Sequence, residues 1–216
     1  MTPKKWFMSP AAKPLVFALS LGPLVWLVYA AFADQLGANP AEALIRDLGD
    51  WTLRFLCLAL AVTPLRVATG TPALARFRRM LGLFVFFYGA LHLLGYAWFD
   101  MGLDVGDIVR DIVKRPFILV GSLALAMLAL LAATSFNRAI RWLGGARWRA
   151  LHRLVYAAAL LGILHFFWMR AGKNDFAEVL WYSLVLAILL GWRVWYFLHH
   201  RSNARHKAAS SASKVA

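Results

Sequence analysis

Apolar residues run together six times along the chain, at roughly 14–33, 51–69, 82–99, 116–134, 151–169 and 177–198. Each run reaches the ~18 or more residues that a helix needs to cross a bilayer. The connections are short and carry turn residues and clustered charge. TGTPALARFRR joins the second and third runs. DMGLDVGDIVRDIVKRP joins the third and fourth, with acids at helical spacing that predict a short surface helix. SFNRAIRWLGGARWRA joins the fourth and fifth, and Gly144-Gly145 should split it in two. Pro116 suits the first turn of the fourth helix. The pattern predicts an all-α polytopic membrane protein, a six-transmembrane-helix bundle. Residues 1–13 form an N-terminal tail, 14–198 the membrane domain, and 199–216 a small, polar, basic tail expected to be disordered. No connection exceeds about 20 residues, too short for a separate soluble domain.

Composition agrees. Of 216 residues, 62% are hydrophobic and only 16% charged, less charge than a soluble domain carries. The net charge of +14 would suggest nucleic acid in a soluble protein, but its distribution says otherwise. With the N-terminus in the cytoplasm, one side holds Lys4, Lys5, Lys13, Arg66, Arg76, Arg78, Arg79, Arg138, Arg141, Arg147, Arg149, Arg153, Arg193, Arg201, Arg205, Lys207 and Lys214, which is 17 of the 24 basic residues. The other side holds all ten acids, Asp34, Glu42, Asp47, Asp50, Asp100, Asp104, Asp107, Asp111, Asp175 and Glu178. Lysine and arginine mark the cytoplasmic side, so both termini are expected there, and a nucleic-acid partner is excluded. Arg54 is expected to snorkel outward as an anchor, and Trp142 and Trp148 to sit in the interfacial aromatic belt. Ala31-Phe32-Ala33 resembles a signal-peptidase site. The preceding apolar run is long for a signal peptide and five more follow, so the first helix is read as retained. Cys57, the only cysteine, excludes a disulfide or a zinc site made by this chain alone.

Three histidines fall inside apolar runs: His92 in the third, His152 and His165 in the fifth. At 1.5 Å per residue, His92 lies roughly 16 Å and His165 roughly 21 Å from the cytoplasmic ends of their helices. Two imidazoles at similar depth on two helices can hold a metal between them, and a haem iron takes such axial ligands. The alternative is that they only hydrogen-bond between helices; ionisable groups in lipid are more often functional. His152, thirteen positions before His165, points roughly 220° away around a straight helix. Three roles stay open for it: ligand of a second haem with an unusual partner, contact to another cofactor, or interface residue. His199, His200 and His206 belong to the end of the sixth run and the tail. GxGxxG, the P-loop lysine motif, HExxH, CxxC and GxSxG are all missing, so the chain has no Rossmann site for a nicotinamide nucleotide. If the chain moves electrons, it must take them from quinol, a flavin or another protein.

RRMLGLFVFFYGALH (78–92) and WRALHRLVYAAALLGILHFFW (148–168) resemble the MsrQ family, formerly YedZ, the haem-binding membrane subunits of the periplasmic protein-methionine-sulfoxide reductase system. The likeness covers nearly the whole chain. More distantly it is similar to ferric-reductase and NADPH-oxidase transmembrane domains without their dehydrogenase part. The resemblance implies haem b, a flavin mononucleotide (FMN), and delivery of electrons to a separate periplasmic molybdenum subunit, MsrP. Such a chain is an electron-transfer subunit of the bacterial inner membrane, not the catalytic one. Quinol, or reduced cytosolic flavin, is the implied donor. His92 and His165 are then the expected haem ligands and His152 a third candidate. Arg78, Arg79, Arg147, Arg149 and Arg153 are candidates for a flavin phosphate, since arginine pairs well with phosphate. The outer acids from Asp100 to Asp111 are the candidate docking patch for MsrP. Two rivals remain, a free-standing transmembrane ferric or quinone reductase and a cofactor-free membrane anchor or transporter.

Overall fold

The computed structural model describes residues 3–172 and 174–213, with side chains described from Trp6 to His199 apart from Lys173. The described residues are helical throughout, in the order α1 (Pro3–Met8), α2 (Ala12–Phe32), α3 (Pro40–Ala68), a 3-10 turn (Pro72–Leu74), α4 (Ala75–Gly95), a π turn (Tyr96–Asp100), α5 (Val105–Lys114), α6 (Pro116–Ala133), α7 (Asn137–Leu143), α8 (Gly145–Leu151), α9 (Leu154–Ala171) and α10 (Ala177–Ser213). Six helical segments are long and apolar enough to span a membrane: α2, α3, Pro72–Asp100, α6, Gly145–Ala171 and the part of α10 from Ala177 to His199. The backbone of α10 continues as helix to Ser213, into the tail whose composition suggests disorder. Side chains beyond His199, including His200 and His206, and residues 214–216 lie outside the described residues.

Local chemistry sets the boundaries. Asn39 caps α3 by accepting from the Glu42 N–H, with Pro40 following at the first helical position. Asp104 caps α5 in the same way through Asp107, and Pro116 opens α6. Gly144, at φ 74°, takes a left-handed conformation that favours glycine and separates α7 from α8. A turn at His152–Arg153 then separates α8 from α9. The regular helical hydrogen bonding of the fifth span is therefore interrupted at His152–Arg153, although both residues keep right-handed helical backbone.

Two helix pairs, α3 with α4 and α6 with α9, make the most extensive contacts, and α10 closes against α3 and α9. Leu53, Phe55, Leu56, Leu60, Phe84, Val85, Tyr88, Leu128, Ala158, Ala159 and Leu186 form one buried core between them. In a bilayer every backbone polar group needs a partner within the protein, and two prolines inside spans test this. Pro23 interrupts α2. Beside it, the fully buried Tyr88 accepts from the Leu24 N–H at 3.2 Å and donates to the Ser20 carbonyl at 2.8 Å. Its hydroxyl thus sits in the rung that would join those two residues. Pro64 interrupts α3, and having no N–H it leaves the carbonyl four residues back without a helical donor. That carbonyl, of Leu60, accepts from the Arg193 guanidinium of α10 at 2.5 Å.

The ten acids all lie at one end of the bundle, where α3, α6 and α10 begin. Arg54 turns inward rather than snorkelling: Nε donates to the Tyr182 hydroxyl at 3.0 Å, and the guanidinium stacks over Trp51. Two of the outer acids form ion pairs along α5 and its end, Asp107 with Arg110 at 2.6 Å and Asp111 with Arg115 at 2.8 Å. Tyr96 also donates to Asp111, at 2.6 Å. Arg170 bridges Asp175 and Glu178.

Tyr88→Phe removes the hydroxyl from the α2 rung while keeping the ring in place. It should lower stability by about 1–3 kcal/mol, the cost of leaving buried backbone groups unsatisfied. Thermal unfolding of purified protein in detergent checks this; a midpoint equal to that of the unsubstituted protein refutes it.

Candidate functional site: a histidine pair between two helix pairs

His92 stands near the end of α4 and His165 near the end of α9. Their ring centroids are 6.2 Å apart and their planes stand at 77°. The equal-depth expectation is met in space: the two rings come together at the acidic end, between the two helix pairs.

Each ring is fixed in the same manner. His92 Nδ1 lies 2.8 Å from the Ile45 carbonyl on α3, and His165 Nδ1 lies 2.7 Å from the Phe117 carbonyl on α6. A carbonyl only accepts, so each Nδ1 carries the proton and each Nε2 is the bare nitrogen. One helical turn after each carbonyl stands a glycine, Gly49 after Ile45 and Gly121 after Phe117. A Cβ on Gly49 would lie 3.1 Å from the His92 ring, and one on Gly121 only 2.8 Å from His165 Nδ1. Both glycines are therefore required by close approach: the imidazole occupies the place of their missing side chain.

Among the described residues, neither Nε2 has a hydrogen-bond partner. No fully enclosed polar side-chain atom lacks one, so the free Nε2 atoms face accessible space. A metal ion bound by two imidazoles at about 2 Å from each nitrogen places the ring centres about 6 Å apart. The separation, the common tautomer and the unpartnered nitrogens fit a single metal centre that His92 and His165 would hold between them. Among the described residues no group of three or more His, Cys, Asp or Glu could hold a bare metal ion.

His152 is at the opposite, basic end. Its Nε2 lies 3.2 Å from the Thr134 hydroxyl, and its ring stacks on Trp148 at 3.9 Å. Thr134 donates its own proton back into α6, to Leu130, so it accepts from His152 Nε2 and leaves Nδ1 bare. Trp148 donates to the Thr134 carbonyl at 3.0 Å, so it serves this cluster rather than the interfacial belt; Trp142 is 83% exposed. Of the candidate arginines, Arg79 is held by Asn137 at 2.8 Å. Arg78, Arg149 and Arg153 are exposed, and Arg147 shares their end of the bundle. Gly49, Gly121 and Arg193 are site residues that the one-dimensional reading missed. The polar acidic-end residue Asp50, 8% exposed, sits next to Gly49 on α3.

Residues 48–163 match the family of ferric reductase like transmembrane components. The chain belongs to that class of membrane protein, a multi-pass helical bundle. Its curated relatives narrow the class. A protein of Polaromonas naphthalenivorans (strain CJ2) is 64% identical over 97% of this chain and 94% of its own. One of Ralstonia nicotianae is 54% identical over 86% of each, and one of Caulobacter vibrioides 44% identical over 84% and 85%. All three carry the name protein-methionine-sulfoxide reductase heme-binding subunit MsrQ, and the chain belongs to the MsrQ family. No solved structure matches the chain.

Alanine at Gly121 must displace His165 or its helix, whereas at Gly49 a shift of a few tenths of an ångström suffices. Gly121→Ala should therefore cost more than Gly49→Ala, within the ~1–3 kcal/mol of an overpacked core. Gly162→Ala, whose Cβ would meet nothing within 4 Å, is the control and should be neutral. Thermal unfolding of the three variants side by side gives the ranking, and equal midpoints for Gly121→Ala and Gly162→Ala would contradict it.

Proposed function

We propose that this chain is the b-type cytochrome subunit of a methionine-sulfoxide reductase system, moving electrons across the bacterial inner membrane to the periplasmic subunit MsrP. The observation that carries the reading is the His92–His165 pair, with two bare nitrogens and a spacing suited to one iron. A haem held there would supply a one-electron couple. What the chain itself supplies is position: the Ile45 and Phe117 carbonyls orient the two imidazoles and keep their Nε2 atoms unprotonated for ligation. Lysine and arginine at the other end favour a cytoplasmic location for both termini, which puts the pair on the periplasmic side, next to its acceptor. The names of the curated relatives support haem and the methionine-sulfoxide reductase system.

The donor is quinol or reduced flavin. FMN is assigned to the basic end, the end that carries Arg78, Arg79, Arg147, Arg149 and Arg153 along with the His152–Trp148 stack. Asp100 and Asp104 are the acids of the docking patch that no ion pair neutralises among the described residues, so they are the ones to carry contact with MsrP. Its role in this reading is transfer, with the substrate chemistry on the MsrP subunit.

Absorption spectra of the oxidised and dithionite-reduced protein test the reading. Wild type should show a six-coordinate b-type spectrum. His92→Ala and His165→Ala should each abolish it or convert it to a five-coordinate form, whereas His152→Ala should leave that signal in place. A wild-type protein produced with ample haem and lacking a Soret band would return the pair to interhelical hydrogen bonding.

A further inference from the structure

His92 and His165 are each fixed within their own helix pair, His92 on the Ile45 carbonyl and His165 on the Phe117 carbonyl. Neither bond sets the distance between the two rings. That distance depends on how the pair α3–α4 is held against the pair α6–α9, and a ligand must be held to within about 0.5 Å to serve a metal. Apolar packing of α4 on α6 joins the pairs, but apolar contact is non-directional and allows small slides.

A directed contact joins the pairs at the histidine end. Four positions past His92, where α4 passes into the π turn, the Tyr96 hydroxyl donates to Asp111 Oδ2 at 2.6 Å. The other oxygen of that carboxylate, Oδ1, accepts from Arg115 Nε at 2.8 Å. Arg115 is the N-cap residue of α6, and its carbonyl accepts from the Ile118 and Leu119 N–H groups. Two residues on stands Phe117, the acceptor for His165. The linkage is as short on the other side. The Tyr96 N–H bonds the His92 carbonyl, and a Cβ on neighbouring Gly95 would lie 3.2 Å from the Ile45 side chain. The Asp111 side chain is only 13% exposed although it belongs to a surface helix, so water competes little for its oxygens.

We propose that Tyr96, Asp111 and Arg115 form a latch between the two helix pairs that sets the spacing of His92 and His165, which makes them positioning residues for the metal centre. The inference rests on the functional reading of the histidine pair given above. It also separates Asp111 from Asp100 and Asp104: its carboxylate is used within the chain, on a phenol and a guanidinium.

The test measures carbon monoxide capture by reduced, haem-loaded, full-length protein in detergent, alongside its absorption spectrum. Carbon monoxide binds where an imidazole lets go of the iron, so its rate reports how well the two ligands are held. Wild type should be six-coordinate and slow. Tyr96→Phe and Asp111→Ala should each capture carbon monoxide about tenfold faster, the factor that one lost charge-assisted hydrogen bond is worth. The double variant should be no faster than Asp111→Ala, because both substitutions break one link. Arg110→Gln breaks the Asp107–Arg110 pair on the same helix but leaves the latch intact, and should match wild type. Circular dichroism and thermal midpoints check folding; Asp111→Ala, on a surface helix where alanine is favourable, is the milder of the two test variants. A lowered midpoint with wild-type capture rates in Tyr96→Phe and Asp111→Ala marks a merely structural contact and overturns the latch while leaving the haem reading intact. Acceleration in Arg110→Gln equal to that in Tyr96→Phe means general loosening of α5 and overturns it too. Wild type that takes up no haem overturns the latch together with the haem reading.

Discussion

The structure depends on one contact made twice: a histidine Nδ1–H donated across a helix interface to a backbone carbonyl whose neighbour one turn on is glycine. In a helix the carbonyl of residue i points toward residue i+4, so a side chain there would screen it from a third partner. Glycine at position 49 and at position 121 opens the carbonyls of Ile45 and Phe117 to imidazole. Each bond also determines how closely its helices approach, α4 on α3 and α9 on α6, the two most extensive packings in the bundle. Ligand orientation and bundle assembly are consequently one event. A histidine in lipid that lost its carbonyl would have to find another acceptor or leave a buried N–H unpaired, at a cost of about 1–3 kcal/mol.

The same rule, that no polar group goes unpartnered in a bilayer, explains features that otherwise look unrelated. Pro23 and Pro64 each disturb a membrane helix, and each disturbance is met by a side chain from another helix, Tyr88 or Arg193. Tyr88 is one turn before His92 on α4. The residue that repairs α2 therefore sits on the helix that presents a ligand. Arg193 performs a second repair at the opposite end.

Much of this was legible in one dimension. Apolar runs of span length have few alternatives to membrane helices, and Pro116 and Gly144-Gly145 punctuate the chain where their backbone preferences say they should. The depths of His92 and His165 followed from helical rise alone. Other features needed neighbours. Gly49 and Gly121 look like any small residue in a membrane helix, because what makes them special is an imidazole on another helix. Arg54 reads as an anchor until Tyr182, 128 positions away, supplies an acceptor. Trp148 reads as interfacial until the His152 ring, one helical turn on, and the Thr134 carbonyl give it partners. The break in helical hydrogen bonding at His152–Arg153 was hidden because LHRLVY contains neither proline nor glycine to announce it.

The two ends of the bundle are chemically opposite, and that opposition bears on how the proposed transfer must work. His92 is fourteen positions along α4 from Arg78, and His165 is thirteen from His152, which at helical rise is roughly 20 Å. Electron tunnelling falls off exponentially with distance, so a donor confined to the basic end would reach the histidine pair slowly in a single step. A relay on the basic side shortens the gap.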